Sequence, residues 1–353
     1  MSRFFSKKYE KLIPYTPGEQ PKDTKYIKLN TNESPYPPSE KAQSYAKEQA
    51  AHLELYPDPE CKALCEALAK KFGVKPDQVL PTNGSDEILN FAFMAYCDES
   101  HPAAFADITY GFYSVFADIN RVPYDIIPLM DDFTINPEDY MGINKTIFIA
   151  NPNAPTGISL KISDIERILK SNPDNIVVID EAYVDFGNES CVSLVDKYEN
   201  LLVTQTFSKS RSMAGARLGV GIGNPSLIQD LNTVKYSTNP YNINRMTMAA
   251  GLGVLTDEDY TKACCEKIIK TREFTAKELK DLGFSMTDSG ANFLFAKHEK
   301  ISGGELYQKL KERGILVRHF DKEKISDYNR ITIGTQEQME TLVSTIKSIL
   351  EGK

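Results

Sequence analysis

Histidine is scarce in this chain: 353 residues carry four of them. None stands at a metal-ligand spacing from Cys61 and Cys65, one helical turn apart, or from the adjacent Cys264 and Cys265. The six cysteines therefore read as reduced thiols in or near helix cores, with no metal site expected and no Ser-His-Asp triad behind any catalysis. No apolar run reaches the roughly 18 residues a membrane helix needs. The opening MSRFFSKKYEKLIPY is basic but has no apolar h-region, so no secretory signal is read there and a cytoplasmic protein is the expectation. Positive charge is in deficit, 41 Lys and Arg against 49 Asp and Glu for a net −8, which argues against a general nucleic-acid binder. The chain has no GxxxxGK(S/T) P-loop, and the run Gly219-Val220-Gly221-Ile222-Gly223 lacks the spacing of a dinucleotide fingerprint. Neither an internal repeat nor a low-complexity tract occurs.

What the chain does have is alternation. Residues 14–39, rich in Pro and polar groups, read as an extended arm. Helices follow over about Ser39 to His52 and over CKALCEALAKKFGV. From there strand-like and helical runs take turns: VLPT before a helix, KTIFIA, the helix ISDIERILKS with Ser163 as its N-cap, the buried run NIVVID, then LLVTQT and LGVGIG. This pattern predicts an α/β fold whose large, mostly parallel sheet is covered by helices on both faces. After about Asn244 a long helical stretch runs from Arg245 to Gly283, broken near Leu255–Glu258, and strand–helix–strand–helix closes the chain as a smaller α/β domain. The expected division is an arm with part of the small domain over 1–48, a large domain over 49–244 and a small domain over 245–353.

Three constellations carry chemistry. The first, Thr82 to Leu89 (TNGSDEIL), leads from a strand through a Gly-Ser-Asp turn into a helix, whose free N–H groups suit a phosphate. In the second, Asp180-Glu181 ends a buried strand, with Tyr183 just beyond, where α/β proteins bind ligands. The third places Lys209 among Thr206, Ser208, Ser210 and Ser212, with Arg217 eight residues on. Each alone has a bland reading: a plain helix cap, a solvated strand-end acid, a basic surface loop. In this order, however, they match what pyridoxal phosphate requires, namely a carboxylate on the ring nitrogen, a lysine on the aldehyde and donors on the phosphate.

At this point the chain resembles the fold-type I pyridoxal-phosphate aminotransferases, within them the branch acting on histidinol phosphate. The segments that carry the resemblance are LIPYTPGEQP, KLNTNESPYPPS, YPDPE, TNGSDE, ITYGFYSV, NPNAPTG, VIDEAYVDF, TFSKSRSMAGARLG, NPYNINR, GILVRHF and NRITIGT. The resemblance implies pyridoxal 5′-phosphate as cofactor, with Lys209 as the Schiff-base lysine and Asp180 on the ring nitrogen. It implies Tyr183 on the ring 3′-oxygen and Tyr110 stacked on the ring. Ser85, Asp86, Thr206, Ser208 and Arg217 would hold the coenzyme phosphate. Tyr56 would reach the coenzyme phosphate of a neighbouring subunit, which implies a homodimer with shared sites. Two positions depart from the family's pattern: Ala154 stands where an Asn normally meets the ring oxygen, and Ser34 replaces the commoner Asn.

For substrate the resemblance implies Arg318 and Arg330 on the anionic end, with Tyr15 and Tyr241 as phosphate contacts. The expected reaction moves an amino group between L-histidinol phosphate and 2-oxoglutarate, giving imidazole acetol phosphate and L-glutamate. Aromatic aminotransferases and threonine-phosphate decarboxylases share the fold and are the near alternatives. A ligand-binding regulator without catalysis is disfavoured, because Lys209 and Asp180 are both present.

Overall fold

The computed structural model describes residues 2–21 and 25–352; three residues of the N-terminal arm, 22–24, lie outside it. After a two-residue strand β1 (Ile27–Lys28) and helices α1 (Glu40–Gln49) and α2 (Lys62–Phe72), a seven-stranded sheet is laid down. Its strands are β2 (Val79–Thr82), β3 (Ala103–Ala106), β4 (Tyr124–Ile127), β5 (Thr146–Ala150), β6 (Val177–Asp180), β7 (Leu201–Thr206) and β8 (Gly219–Gly223). The order across it is β2-β8-β7-β6-β5-β3-β4, with β8 antiparallel to both neighbours and the other pairs parallel.

Period-two alternation sends these strands into two cores. Ile147, Ile149, Val177, Ile179 and Val203 face one side with α2 and α5 (Ile162–Ser171). Phe148, Val178 and Leu202 face the other, under α3 (Ser85–Tyr96), α4 (Phe112–Asn120) and α6 (Pro225–Thr238). A fully buried side chain of this size contributes about 1.5–3 kcal/mol, so burial on both faces fixes the strands and with them the sheet's carboxyl edge. The helix α5 starts earlier than its sequence suggests. Ser163 lies inside it, and the carbonyl of Lys161 accepts the first helical N–H bonds, from Asp164 and Ile165. Burial of Ile165, Ile168 and Leu169 sets the helix phase, and no side-chain cap is made.

The remaining helices are α7 (Arg245–Leu255), α8 (Glu258–Asp281), α9 (Gly303–Glu312) and α10 (Gln336–Leu350). A second sheet, order β12-β13-β10-β9, is antiparallel throughout: β9 (Phe284–Met286), β10 (Phe293–His298), β12 (Arg318–His319) and β13 (Asn329–Thr332). A short β11 (Ile315–Leu316) pairs in parallel with β1. Leu29, Ile268, Leu294, Leu310, Ile331 and Leu342 form the core there, joined by Ala154 and Tyr183 from loops of the large sheet. Helix α7 packs against α1 and α2, and Ala42, Ala250 and Val254 share the first core. We therefore propose that the domain division falls between α7 and α8 rather than after Asn244, with α1 in the large domain. No helix among the described residues is long and apolar enough to cross a membrane. The six cysteines are free thiols.

Candidate active site

The carboxyl ends of β2, β5, β6 and β7 converge on a cavity of about 200 Å³. Asp180 closes β6 and lines it. Its Oδ2 accepts a hydrogen bond from the Tyr113 hydroxyl at 3.0 Å, while Oδ1 is buried with no partner among the described residues. Burial pushes this carboxyl up to about 7, against the pull of the Tyr113 bond. Glu181 points elsewhere: Ser190, the Cys191 N–H and Gln205 all donate to it, at 2.6, 2.6 and 2.8 Å.

Lys209 follows β7 and faces the same cavity. Its Nζ donates to the Thr31 carbonyl at 3.2 Å and lies 5.9 Å from the Tyr183 ring centre. Burial first, and then the Arg330 cation, bring the amine down to about 8. The loop that carries it is anchored on the far side, where Ser210 and the buried Arg211 both bond Asp185, at 2.5 and 2.9 Å. Of the four hydroxyls around Lys209 in sequence, Thr206 and Ser208 line the cavity, whereas Ser210 turns to Asp185 and Ser212 to Ser34.

The opposite end brings together an uncapped helix start and an arginine. Gly84 precedes α3 at φ +75, and no side chain caps the helix, so its first N–H groups stay available. A Cβ at Gly84 would come within 2.6 Å of the Arg217 guanidinium, and one at Gly219 within 2.4 Å of the Gly84–Ser85 backbone. Glycine at both positions lets the helix start, β8 and Arg217 meet. Arg217 reaches Asp86 at 2.8 Å and Ser208 Oγ at 3.5 Å. Tyr110 donates to the other Asp86 oxygen at 2.6 Å. Both Asp86 side-chain oxygens are thus taken up as acceptors, from Arg217 and from Tyr110.

A second cavity, about 340 Å³, adjoins the first and shares Thr31, Tyr110, Ala154, Tyr183 and Lys209 with it. Arg318, Lys322 and Arg330 line it, and no Asp or Glu does. Arg330 donates to the Asn30 carbonyl at 3.0 Å and keeps its buried Nε without a partner among the described residues. Tyr15 also lines this cavity, stacked on Phe112 at 4.2 Å. Tyr56 and Tyr241 do not. They stack on each other at 4.6 Å on the surface, 79% and 42% exposed, outside both cavities of their own chain. His319 sits half-buried beside Tyr307. A larger cavity, about 880 Å³ between α2 and α6, contains none of these groups.

Residues of the site that the sequence does not single out include Asn30, Thr31, Asn32, Tyr113, Lys322 and Thr332. Tyr113 stands in the ITYGFYSV segment, at the spacing that turns it inward from α4. Asn32 and Thr332 meet across 300 residues, and no local pattern announces that.

The description "Aminotransferase class I and II" fits residues 24–346. A histidinol-phosphate aminotransferase of Marinomonas sp. is 51% identical over 99% of this chain and 100% of its own length. One from Brachyspira hyodysenteriae is 50% identical over the same shares. The crystal structure of histidinol-phosphate aminotransferase from Sinorhizobium meliloti in complex with pyridoxal-5′-phosphate superposes with a TM-score of 0.84 at 23% identity, over 92% of each chain, which speaks to the fold.

Proposed function

The chain belongs to the class I and II aminotransferases, and we propose that it moves an amino group between L-histidinol phosphate and 2-oxoglutarate with pyridoxal 5′-phosphate as cofactor. One observation carries this reading: an unpartnered buried Asp180 oxygen, the Lys209 amine and an anion cup border a single cavity. A pyridinium N–H would satisfy Asp180 Oδ1, and the uncapped α3 terminus with Arg217, Thr206 and Ser208 suits a phosphate, so the residues fit the cofactor. When bound, pyridoxal phosphate supplies an aldehyde that takes up the amino group and a ring that accepts the electrons of the departing α-proton.

The chain's own groups do the rest. Asp180 Oδ1 would hold the ring nitrogen's proton in place, because two opposite charges favour each other's ionised forms. Lys209 Nζ, with its lowered proton affinity, would take the α-proton of the amino donor as a general base and, in the other half-reaction, give a proton to the α-carbon of the amino acceptor as an acid. Tyr183 would give a hydrogen bond to the ring oxygen, and Tyr110 would cover the ring. Arg330 and Arg318 fork the phosphate of histidinol phosphate, which has no carboxylate, and in the other half-reaction a carboxylate of glutamate. Tyr15 adds a donor for the phosphate's extra oxygen. With a second copy of the chain as partner, Tyr56 and Tyr241 would complete the neighbouring cleft.

The test is to incubate the purified protein with pyridoxal phosphate, L-histidinol phosphate and 2-oxoglutarate and assay glutamate. Phenylalanine and threonine phosphate run in parallel. Glutamate from histidinol phosphate, abolished by Lys209→Ala, supports the reading. Turnover confined to phenylalanine, or carbon dioxide released from threonine phosphate, defeats it.

A further inference from the structure

Three successive residues of the N-terminal arm each hold one group of the site. The Asn30 carbonyl accepts from Arg330 at 3.0 Å, the Thr31 carbonyl from Lys209 at 3.2 Å, and the Asn32 side chain meets the Tyr183 hydroxyl at 2.9 Å. Asn32 is buried and adopts φ 56, a left-handed conformation that Asn tolerates better than most residues. Its own polarity is set from the second sheet. The Asn32 N–H donates to Thr332 Oγ1 at 3.0 Å, which leaves the Thr332 proton for Asn32 Oδ1, also at 3.0 Å. Oδ1 is thereby identified as the amide oxygen, and the group facing Tyr183 is the NH₂, which can only donate. The Tyr183 oxygen must accept there, and its own proton is left to point elsewhere.

Where it can point follows from the neighbours. Tyr183 lines both cavities, beside Ala154, which offers no polar side-chain atom. Asn153 cannot substitute. Its Oδ1 accepts from Thr109, and its Nδ2 donates to the Ile108 carbonyl and Thr156 Oγ1. Tyr110 is committed to Asp86. Tyr183 itself stays neutral, since burial raises its proton affinity.

We propose that Asn32, oriented by Thr332, is a positioning residue that fixes the Tyr183 hydroxyl as a hydrogen-bond donor into the cavity, toward the coenzyme's ring oxygen, at a site where Ala154 supplies no second donor. This rests on the pyridoxal phosphate reading. A donor on the ring oxygen stabilises its negative charge and makes the neighbouring lysine-linked nitrogen harder to protonate. Losing that donor should therefore raise the pH midpoint of the coenzyme's visible absorption band.

The experiment titrates that band in the coenzyme-loaded wild type and in Asn32→Asp, Thr332→Val and Tyr183→Phe, and combines the first with the last. Asp at 32 cannot donate, so the Tyr183 proton turns to it. The expected midpoint rises by about one pH unit in both Asn32→Asp and Tyr183→Phe, with no further rise when they are combined. Ala154→Asn should bring the Asn32→Asp midpoint back down. Should Asn32→Asp fail to fold, Thr332→Val, which frees the amide to flip, carries the same expectation with a smaller rise. A midpoint unchanged in Asn32→Asp or, failing that, in Thr332→Val overturns the proposal. So does an Asn32→Asp shift that persists undiminished in the Tyr183→Phe background, which would mark a through-space charge effect. A wild type with no visible band on addition of coenzyme defeats instead the pyridoxal reading beneath it.

Discussion

Asp180 holds one carboxylate oxygen against Tyr113 and leaves the other buried without a partner among the described residues. Before coenzyme binds, that arrangement works against the fold. The folded carboxyl titrates at about 7, above its ordinary 3.8. The destabilisation is therefore absent below the unfolded value, grows between the two and is complete above about 7. Asp180→Asn should raise the melting temperature of the coenzyme-free protein at pH 8 and leave it unchanged below the unfolded carboxyl range. Turnover should meanwhile fall by more than about tenfold, ~1.4 kcal/mol of barrier. Equal melting temperatures at pH 8 would mean that the carboxyl is not desolvated as described. Lys209 gives a second test. Its amine is lowered to about 8, in part by Arg330, so coenzyme uptake should speed up as pH rises through that value, as the neutral amine appears. Arg330→Gln removes a neighbouring cation and should move the midpoint of the uptake rate to higher pH. A shift to lower pH would contradict the electrostatics.

Among the elements, the junction of β2, α3 and β8 bears most on the coenzyme retention proposed above. The close approach at Gly219 leaves no room for a methyl group. Gly219→Ala should cost about 1–3 kcal/mol of stability by overpacking and loosen the phosphate cup, read as faster coenzyme loss on dialysis. Arg217→Ala should loosen retention without the overpacking penalty. Retention equal to wild type in both would remove the cup from the account. This junction was legible in the sequence, because a strand, a Gly-Ser-Asp turn and a helix are contiguous. So were β6 ending on Asp180 and β7 leading to Lys209, where buried runs stop at polar residues. Other features were not. The break near Leu255–Glu258 separates α7 from α8 in the sequence as in the structure, but only the contacts of α7 with α1 and α2 assign it to the first core. The cap at Ser163 was misplaced because burial of Ile165 and Ile168, rather than capping chemistry, sets where α5 begins. The link from Asn32 to Thr332 depends on how the arm lies against β13, which no window along the chain contains.

For the whole molecule, the cleft lies between two cores, with Asp180 and the anion cup on the large sheet and Arg318 and Arg330 on the small one. Tyr56 and Tyr241 stand outside it, exposed, as expected if they serve a neighbour's cleft. Mixing Tyr56→Ala with Lys209→Ala chains after partial unfolding tests this. A two-fold dimer with shared sites gives mixed pairs with one intact cleft, restoring about a quarter of wild-type turnover. No gain over the separate variants would place Tyr56 outside any cleft. The most direct measurement of the central reading is a single turnover of the coenzyme-loaded protein followed by absorbance. Histidinol phosphate alone should bleach the visible band by one equivalent per chain, and 2-oxoglutarate added next should restore it with one equivalent of glutamate formed. A band indifferent to histidinol phosphate, yet bleached by phenylalanine, would contradict it.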